Sequence, residues 1–254
     1  MAVGKLLILV AVFLVTSVIS VVTGSTSLVT IPVMITVGIE PHAAVATNMM
    51  ALIFMSVGAS LPFVHQGVIE RRLLPASIVL TIGGSALGAL LLLRVPVRAL
   101  QLTIAIAMIA VAAFSLLRND SGTGDHAVSN SRSAIGYVAT FILAVYGGLF
   151  SGGYVTMLTA AFVFLFGLSF LRAVATTKVV NVFSSAVATL IFAWHGVVDY
   201  KLGIILGVTM FLGAFAGSHI TMRINPVWLR RIFVVAVIAL AANMVLGLVH
   251  RSTR

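Results

Sequence analysis

Lys178 stands inside an apolar run with no acidic residue near it, in the stretch Arg172-Ala-Val-Ala-Thr-Thr-Lys178-Val-Val-Asn181-Val-Phe-Ser184-Ser185. On a helix, Lys178, Asn181 and Ser185 fall at i, i+3 and i+7 and share one face. Thr177, Asn181 and Ser184 form a stripe beside them. An ammonium flanked by hydrogen-bonding side chains is chemistry for holding a small anion. The charge also needs an explanation, because a lysine inside a membrane helix costs about 2.5–3.5 kcal/mol on insertion scales. An anion in a cavity would offset that cost. The alternative is snorkelling: Arg172 marks the helix end, which leaves Lys178 only about 9 Å inside at 1.5 Å per residue, within reach of the headgroups. The polar stripe favours the first reading, since snorkelling does not need Asn181 and Ser185 on the same face.

The elements that position these residues are membrane segments. Of 254 residues, 61% are hydrophobic and 8% charged, with mean hydropathy +1.23, whereas a soluble domain carries about 25% charged residues. The net charge is +10, but the basic residues sit singly or in pairs at the ends of apolar runs, as membrane anchors do. No basic stripe interleaves with aromatics, which argues against nucleic acid as a partner. The absence of cysteine excludes disulfides, thiolate metal sites and a cysteine nucleophile. Few intramembrane carboxylates and no histidine–acid cluster argue against an enzyme, a metal centre or any cofactor. The N-terminal apolar run reads as an uncleaved first membrane segment, because no small-residue cleavage site leads to a polar start.

Taken in order, the chain predicts an all-α, polytopic integral membrane protein of about eight transmembrane segments. The first runs from about Leu6 to Gly38, roughly 50 Å if it were one helix, far beyond a 30 Å hydrocarbon core. Thr23-Gly24-Ser25-Thr26-Ser27 breaks it. Segments two to four cover about 43–64, 73–93 and 99–117. Segment five is again over-long and is broken by Tyr146-Gly147-Gly148-Leu-Phe-Ser151-Gly152-Gly153-Tyr154. Segment six holds Lys178, and segments seven and eight cover about 202–222 and 227–249. Broken backbone at membrane depth is tolerated where it is buried in protein or lines a cavity; a Gly/Ser packing kink is the plainer reading. A polar linker, 119–133, separates a first membrane repeat, 1–118, from a second, 134–254.

The halves align without a gap at an offset of 129 residues. Ala44-Val45-Ala46-Thr47 falls on Ala173-Val174-Ala175-Thr176, Gly24 on Gly153, Gly38 on Gly167, Gly67-Val68 on Gly196-Val197, and Glu70 on Asp199. This pattern predicts a four-plus-four duplication with a broken first helix in each half. Paired interrupted segments point to a transporter site at the repeat interface. Lys178 falls opposite Met49, so the charge exists in one half only. The basic residues flanking the segments divide eight to six, a weak positive-inside signal for cytoplasmic termini. Whether each broken segment crosses once or twice decides between parallel and inverted repeats, and the pattern leaves both open.

The duplicated Gly-rich break, Ala-Val-Ala-Thr and Gly-Val-hydrophobic-acidic set resembles the sulfite exporter TauE/SafE family, also called the toluene sulfonate uptake permease family. Thr177-Lys178-Val-Val-Asn181-Val-Phe-Ser184 is similar to its second-half signature, and His195-Gly196-Val197-Val198-Asp199 before a Gly-rich helix also fits. The chain departs from the pattern at the worn first break, Gly24-Ser25-Thr26-Ser27, and at Ser185, where an Asn often stands. The resemblance implies a carrier of sulfite, sulfonates or related small sulfur-containing anions in the inner (plasma) membrane.

The expected substrate site lies between the breaks, near Gly24, Ser25, Ser151, Gly152 and Gly153. Lys178 would supply charge there, and Asn48, Thr177 and Asn181 hydrogen bonds. Alternating access would rock one half against the other. A channel for a small anion or neutral solute shares all these features. Coupling to H⁺ or Na⁺ is open, with His42, His65, His195 and His219 as titratable candidates that sit near segment ends. Membrane lipid is the surrounding partner, and a homodimer is an admissible assembly.

Overall fold

The computed structural model describes residues 3–106 and 129–221. Segment eight, most of segment four and most of the linker lie outside the described residues. Among the described residues every regular element is a helix. In chain order these are α1 (Val3–Thr23), α2 (Ser27–Thr36), α3 (Pro41–His65), α4 (Leu74–Leu92), α5 (Val97–Ile106), α6 (Asn130–Leu149), α7 (Tyr154–Phe166), α8 (Phe170–Trp194) and α9 (Tyr200–Thr221). Six of them, α1, α3, α4, α6, α8 and α9, are long and apolar enough to cross a membrane. The chain is a multi-pass membrane protein. Its outward face is greasy: Ile8, Val79, Leu190 and Leu212 are exposed, as lipid contact requires. Trp194, at the end of α8, is 90% exposed and suits the headgroup belt.

Each over-long segment proves to be a helical hairpin. The ammonium of Lys5, in the first turn of α1, donates to the carbonyl of Val37 just after α2, at 2.7 Å. α2 therefore returns toward the start of α1. Likewise, Tyr137 near the start of α6 packs edge-on against Phe166 at the end of α7, with centroids 5.0 Å apart. The returning arms are short, 10 and 13 residues, so they span about 15 and 20 Å against a 30 Å hydrocarbon core. Neither segment makes one pass; each runs in to a tip and returns toward the end it started from.

The breaks are narrower than the composition suggested. The first is confined to Gly24–Thr26. In the second, Gly147 and Gly148 stay helical and the break falls at Phe150–Gly153. Packing holds those glycines in the helix: a Cβ at Gly147 would meet the Tyr154 ring, and one at Gly148 the backbone of Ser85. The second half also begins earlier than Ala134. Ser129 caps α6 by accepting the Arg132 N–H at 3.4 Å, so Asn130–Ser133 form its first turn.

α3 and α8 are both 25 residues long and begin 129 positions apart. They run antiparallel. The N–H of Glu70, in the loop after α3, donates to Thr176 Oγ1 in the second turn of α8 at 3.0 Å. The N–H of Asp199, after α8, donates to Thr47 Oγ1 in the second turn of α3 at 3.0 Å. The two bonds are related by the offset of 129, which carries Glu70 to Asp199 and Thr47 to Thr176. Arg172 adds an ion pair with Glu70 at 2.6 Å. Between these long helices, α4 packs on α6 and α8, and α9 on α1 and α3. Close approach at both seams depends on glycine: a Cβ at Gly88 would strike Val145 O, and one at Gly217 would lie 2.6 Å from Val18 O.

Those two loop bonds make a matched prediction. Thr176→Val and Thr47→Val each leave a partly buried N–H without its acceptor, at about 1–3 kcal/mol. The sites sit at opposite ends of the helix pair, so the two losses should add. Thermal unfolding in detergent should show two similar drops and their sum in the double variant. A double variant no less stable than either single would contradict independent anchoring.

Candidate functional site

The two hairpin tips meet. Ser25 Oγ hydrogen-bonds Thr156 Oγ1, which donates in turn to the carbonyl of Thr23. Gly24, with φ +73°, lies so close to α7 that a Cβ there would stand 2.9 Å from the Thr156 nitrogen. Gly152 makes the reciprocal approach, its Cβ direction facing Leu28. Ser151 (φ +65°) and Gly153 (φ +80°) turn the second tip. The five tip residues expected from sequence, Gly24, Ser25, Ser151, Gly152 and Gly153, are thus brought to one junction. α2 and α7 both begin at the junction, which places the N-terminal end of each dipole there; no side chain caps either first turn, and tip carbonyls take the Leu28, Val29 and Tyr154 N–H groups.

The junction lies deep from both faces. Asn48, eight positions into α3, donates from Nδ2 to Ser27 Oγ at 2.9 Å and accepts from Thr30 Oγ1 at 2.7 Å. Thr177, eight positions into α8, shares a 3.0 Å hydroxyl contact with Thr159. Since α3 and α8 are antiparallel, about 10 Å of helix separates the junction's anchors from each end. The pairs 30/48 and 159/177 again lie at the offset of 129. Asn48 and Thr177 therefore fasten the returning arms to the long helices.

Lys178 is 2% exposed. Its ammonium does not reach back to the headgroups but donates to the carbonyl of Ser20 at 2.9 Å. That carbonyl belongs to the last turn of α1, where unpaired carbonyls and the negative end of the dipole favour a cation. No carboxylate among the described residues is within ion-pair distance. One of three ammonium donors is thus used, beside the tip. Asn181 lies one turn further along, donating to Ser56 Oγ at 2.7 Å, while its own Oδ1 and the Ser185 hydroxyl are buried without a partner among the described residues. Sequence reasoning passed over Thr156, Thr159 and Ser56. Thr159 was the one within reach, because it falls on Thr30.

The remaining candidates lie elsewhere. His42 bridges Glu40 and the Val95 carbonyl, both at 2.9 Å. His195 and His219 contact carbonyls one turn back, and His65 ends α3. Glu70 pairs with Arg172, and Asp199 accepts the Leu202 N–H at 3.0 Å. All are at helix ends, away from the tips.

A junction of two re-entrant tips beside one buried lysine is an arrangement of transporters, and the comparison with known families agrees. Residues 8–244 match the Sulfite exporter TauE/SafE family. The chain belongs to that family. Among TauE/SafE-like relatives, a probable membrane transporter protein (ORF9) of a Sinorhizobium species is 29% identical over 90% of this chain and 88% of its own length. A probable membrane transporter protein of Haemophilus influenzae is 27% identical over 94% of each chain. The probable membrane transporter protein YfcA of Escherichia coli K12 is 27% identical over 88% of this chain and 83% of its own. No solved structure is significantly similar to this TauE/SafE chain.

Proposed function

We propose that this protein is a secondary transporter that moves a small sulfur-containing anion, sulfite or a simple sulfonate, across the inner (plasma) membrane by alternating access. The observation that carries the reading is the buried Lys178 ammonium beside two helix N-termini that no side chain caps. Three sources of positive potential converge in a site shielded from water, where electrostatics are strong. An oxyanion of sulfur offers several acceptors to such a cluster. The first and second membrane repeats, 1–118 and 134–254, would be the two rocking halves. Their antiparallel long helices and the recurrence of bonds at the offset of 129 support an inverted duplication: a returning hairpin followed by three single spans in each half, with segments four and eight completing the count, reverses the direction of the second half.

The closed junction favours a carrier over a channel. With Ser25, Thr156 and Gly24 in contact, the tips are closed on each other, and passage between them requires the halves to separate. Proteoliposomes loaded with labelled sulfite or a simple sulfonate test the reading. A carrier gives saturable uptake and counterflow; single-channel currents, or no flux of either anion from folded protein, would remove it.

A further inference from the structure

α4 carries Ser77, Thr81 and Ser85 at i, i+4 and i+8, all with no exposed surface. They form one polar stripe on a helix that is otherwise apolar. Ser85 Oγ meets Ser184 Oγ of α8 at 2.7 Å and donates to the Ala144 carbonyl of α6 at 3.2 Å, so the inner end of the stripe lies where α4 meets α8 and α6. Tyr154, the first residue of α7 and part of the tip junction, is fully buried there, its hydroxyl close to Thr81 and Ser184 but without a hydrogen bond of good geometry to either. The hydroxyls of Ser77, Thr81 and Tyr154 have no partner among the described residues. Serine and threonine in a helix can bond back to a carbonyl one turn before, as Thr140, Thr159 and Thr209 do; Ser77 and Thr81 do not, a feature they share with Ser20 and Thr23 of α1 and Ser185 and Thr189 of α8. Each unmet hydroxyl is costly where no water is expected. On α9, the positions at the offset of 129 are Leu206, Met210 and Ala214, equally buried and all apolar. Two otherwise matched seams therefore differ in polarity along their length.

The polar seam leads somewhere. Its outer end is the α3–α4 loop with the exposed Arg71 and Arg72, whose charge attracts anions. An open, largely apolar cleft of about 370 Å³ lies at that end, between the end of α3 with its following loop, the start of α4 and Val179 of α8, with Arg71 on its rim. Its inner end is Tyr154, at the tips.

We propose that the α4–α8 seam is the hydrated path by which a small sulfur oxyanion reaches the tip junction from the face where α3 ends, with Tyr154 as its inner gate. The α9–α3 seam is its dry counterpart. Water and the oxyanion satisfy the Ser77, Thr81 and Tyr154 hydroxyls when the seam parts, so opening recovers a cost that the closed state bears. No such recovery is available at Leu206, Met210 and Ala214. The solute named here rests on the transporter reading above; the wet and dry seams do not.

Because the chain has no cysteine, single cysteines can be placed without background. Ser77→Cys, Thr81→Cys and Ser85→Cys are compared with Leu206→Cys, Met210→Cys and Ala214→Cys in proteoliposomes. The probe is a small charged methanethiosulfonate, with sulfite omitted because it attacks the reagent. His65→Cys, at the exposed end of α3, is the labelling control. The α4 set should react at least about tenfold faster than the α9 set, the equivalent of about 1.4 kcal/mol in opening, and Ser77→Cys faster than Ser85→Cys. Equal rates in the two sets, or six inert positions beside a reactive control, would overturn the path. Labelling needs no transported solute, so the two readings fail separately. Anion flux with an inert α4 overturns the path and leaves the carrier, while a reactive α4 without flux of either anion keeps the path and removes its sulfur solute.

Discussion

Lys178→Met abolishes saturable anion uptake in proteoliposomes while leaving the protein folded in the membrane. The expectation follows from where the ammonium stands. It is buried and, among the described residues, has no carboxylate partner and one hydrogen bond, to the Ser20 carbonyl. Removing one side of a buried charge interaction costs about 3–5 kcal/mol when the other side remains, and every 1.4 kcal/mol is tenfold. An anion that relies on this charge should therefore lose at least a factor of about 100 in uptake at low concentration. Fold should survive, because methionine fills similar volume and the lost bond to Ser20 leaves a carbonyl that still accepts the Gly24 N–H at 2.9 Å. Lys178→Arg is the informative companion. It keeps the charge but needs room for a planar fork, so partial uptake there with none in Lys178→Met would assign the effect to charge. Normal flux in Lys178→Met would take the lysine out of the site and leave it as the C-terminal cap of α1.

Much of this arrangement was legible because particular residue types had few alternatives. Glycine at 24 and 153, 38 and 167, and 67 and 196 is favoured by the left-handed backbone found at all six positions, and those same glycines fixed the offset in the sequence. The polar face of α8 was readable from helical period alone. Direction was not. Periodicity is blind to whether α2 continues or turns back, and the bond that shows its return joins residues 32 positions apart, Lys5 and Val37. Gly147 and Gly148 looked like breakers because local propensity takes no account of Tyr154 and Ser85 pressing on the helix. The α4 stripe went unremarked for a related reason. Ser77, Thr81 and Ser85 are unexceptional in a membrane helix until compared with Leu206, Met210 and Ala214 at the matching positions, and their unmet hydroxyls are visible only with α7 and α8 in place.

The second large effect should come from the smallest side chain at the tips. Gly24 and Gly67 share a left-handed backbone, φ +73° and +66°, but differ in surroundings. Nothing lies within 4 Å of a Cβ at Gly67, whereas one at Gly24 would stand 2.9 Å from the Thr156 nitrogen and 3.1 Å from the Val155 carbonyl carbon. Gly67→Ala thus carries the conformational cost alone, about 1–2 kcal/mol. Gly24→Ala carries that cost plus an overpacking penalty of about 1–3 kcal/mol, because the nearest neighbour, the Thr156 nitrogen, is backbone and cannot swing aside. The excess is borne by the closed junction specifically, since a Cβ there wedges the tips apart and strains the Ser25–Thr156–Thr23 chain. If the closed junction is a state through which every transport cycle passes, an excess of this size depopulates it by about 5- to 150-fold, and turnover should fall with it. Gly67→Ala should transport nearly as well as the parent protein, with only a modest loss in thermal unfolding. Equal unfolding losses in the two variants would mean that the tips yield easily. Full flux in Gly24→Ala would mean that transport does not pass through their contact.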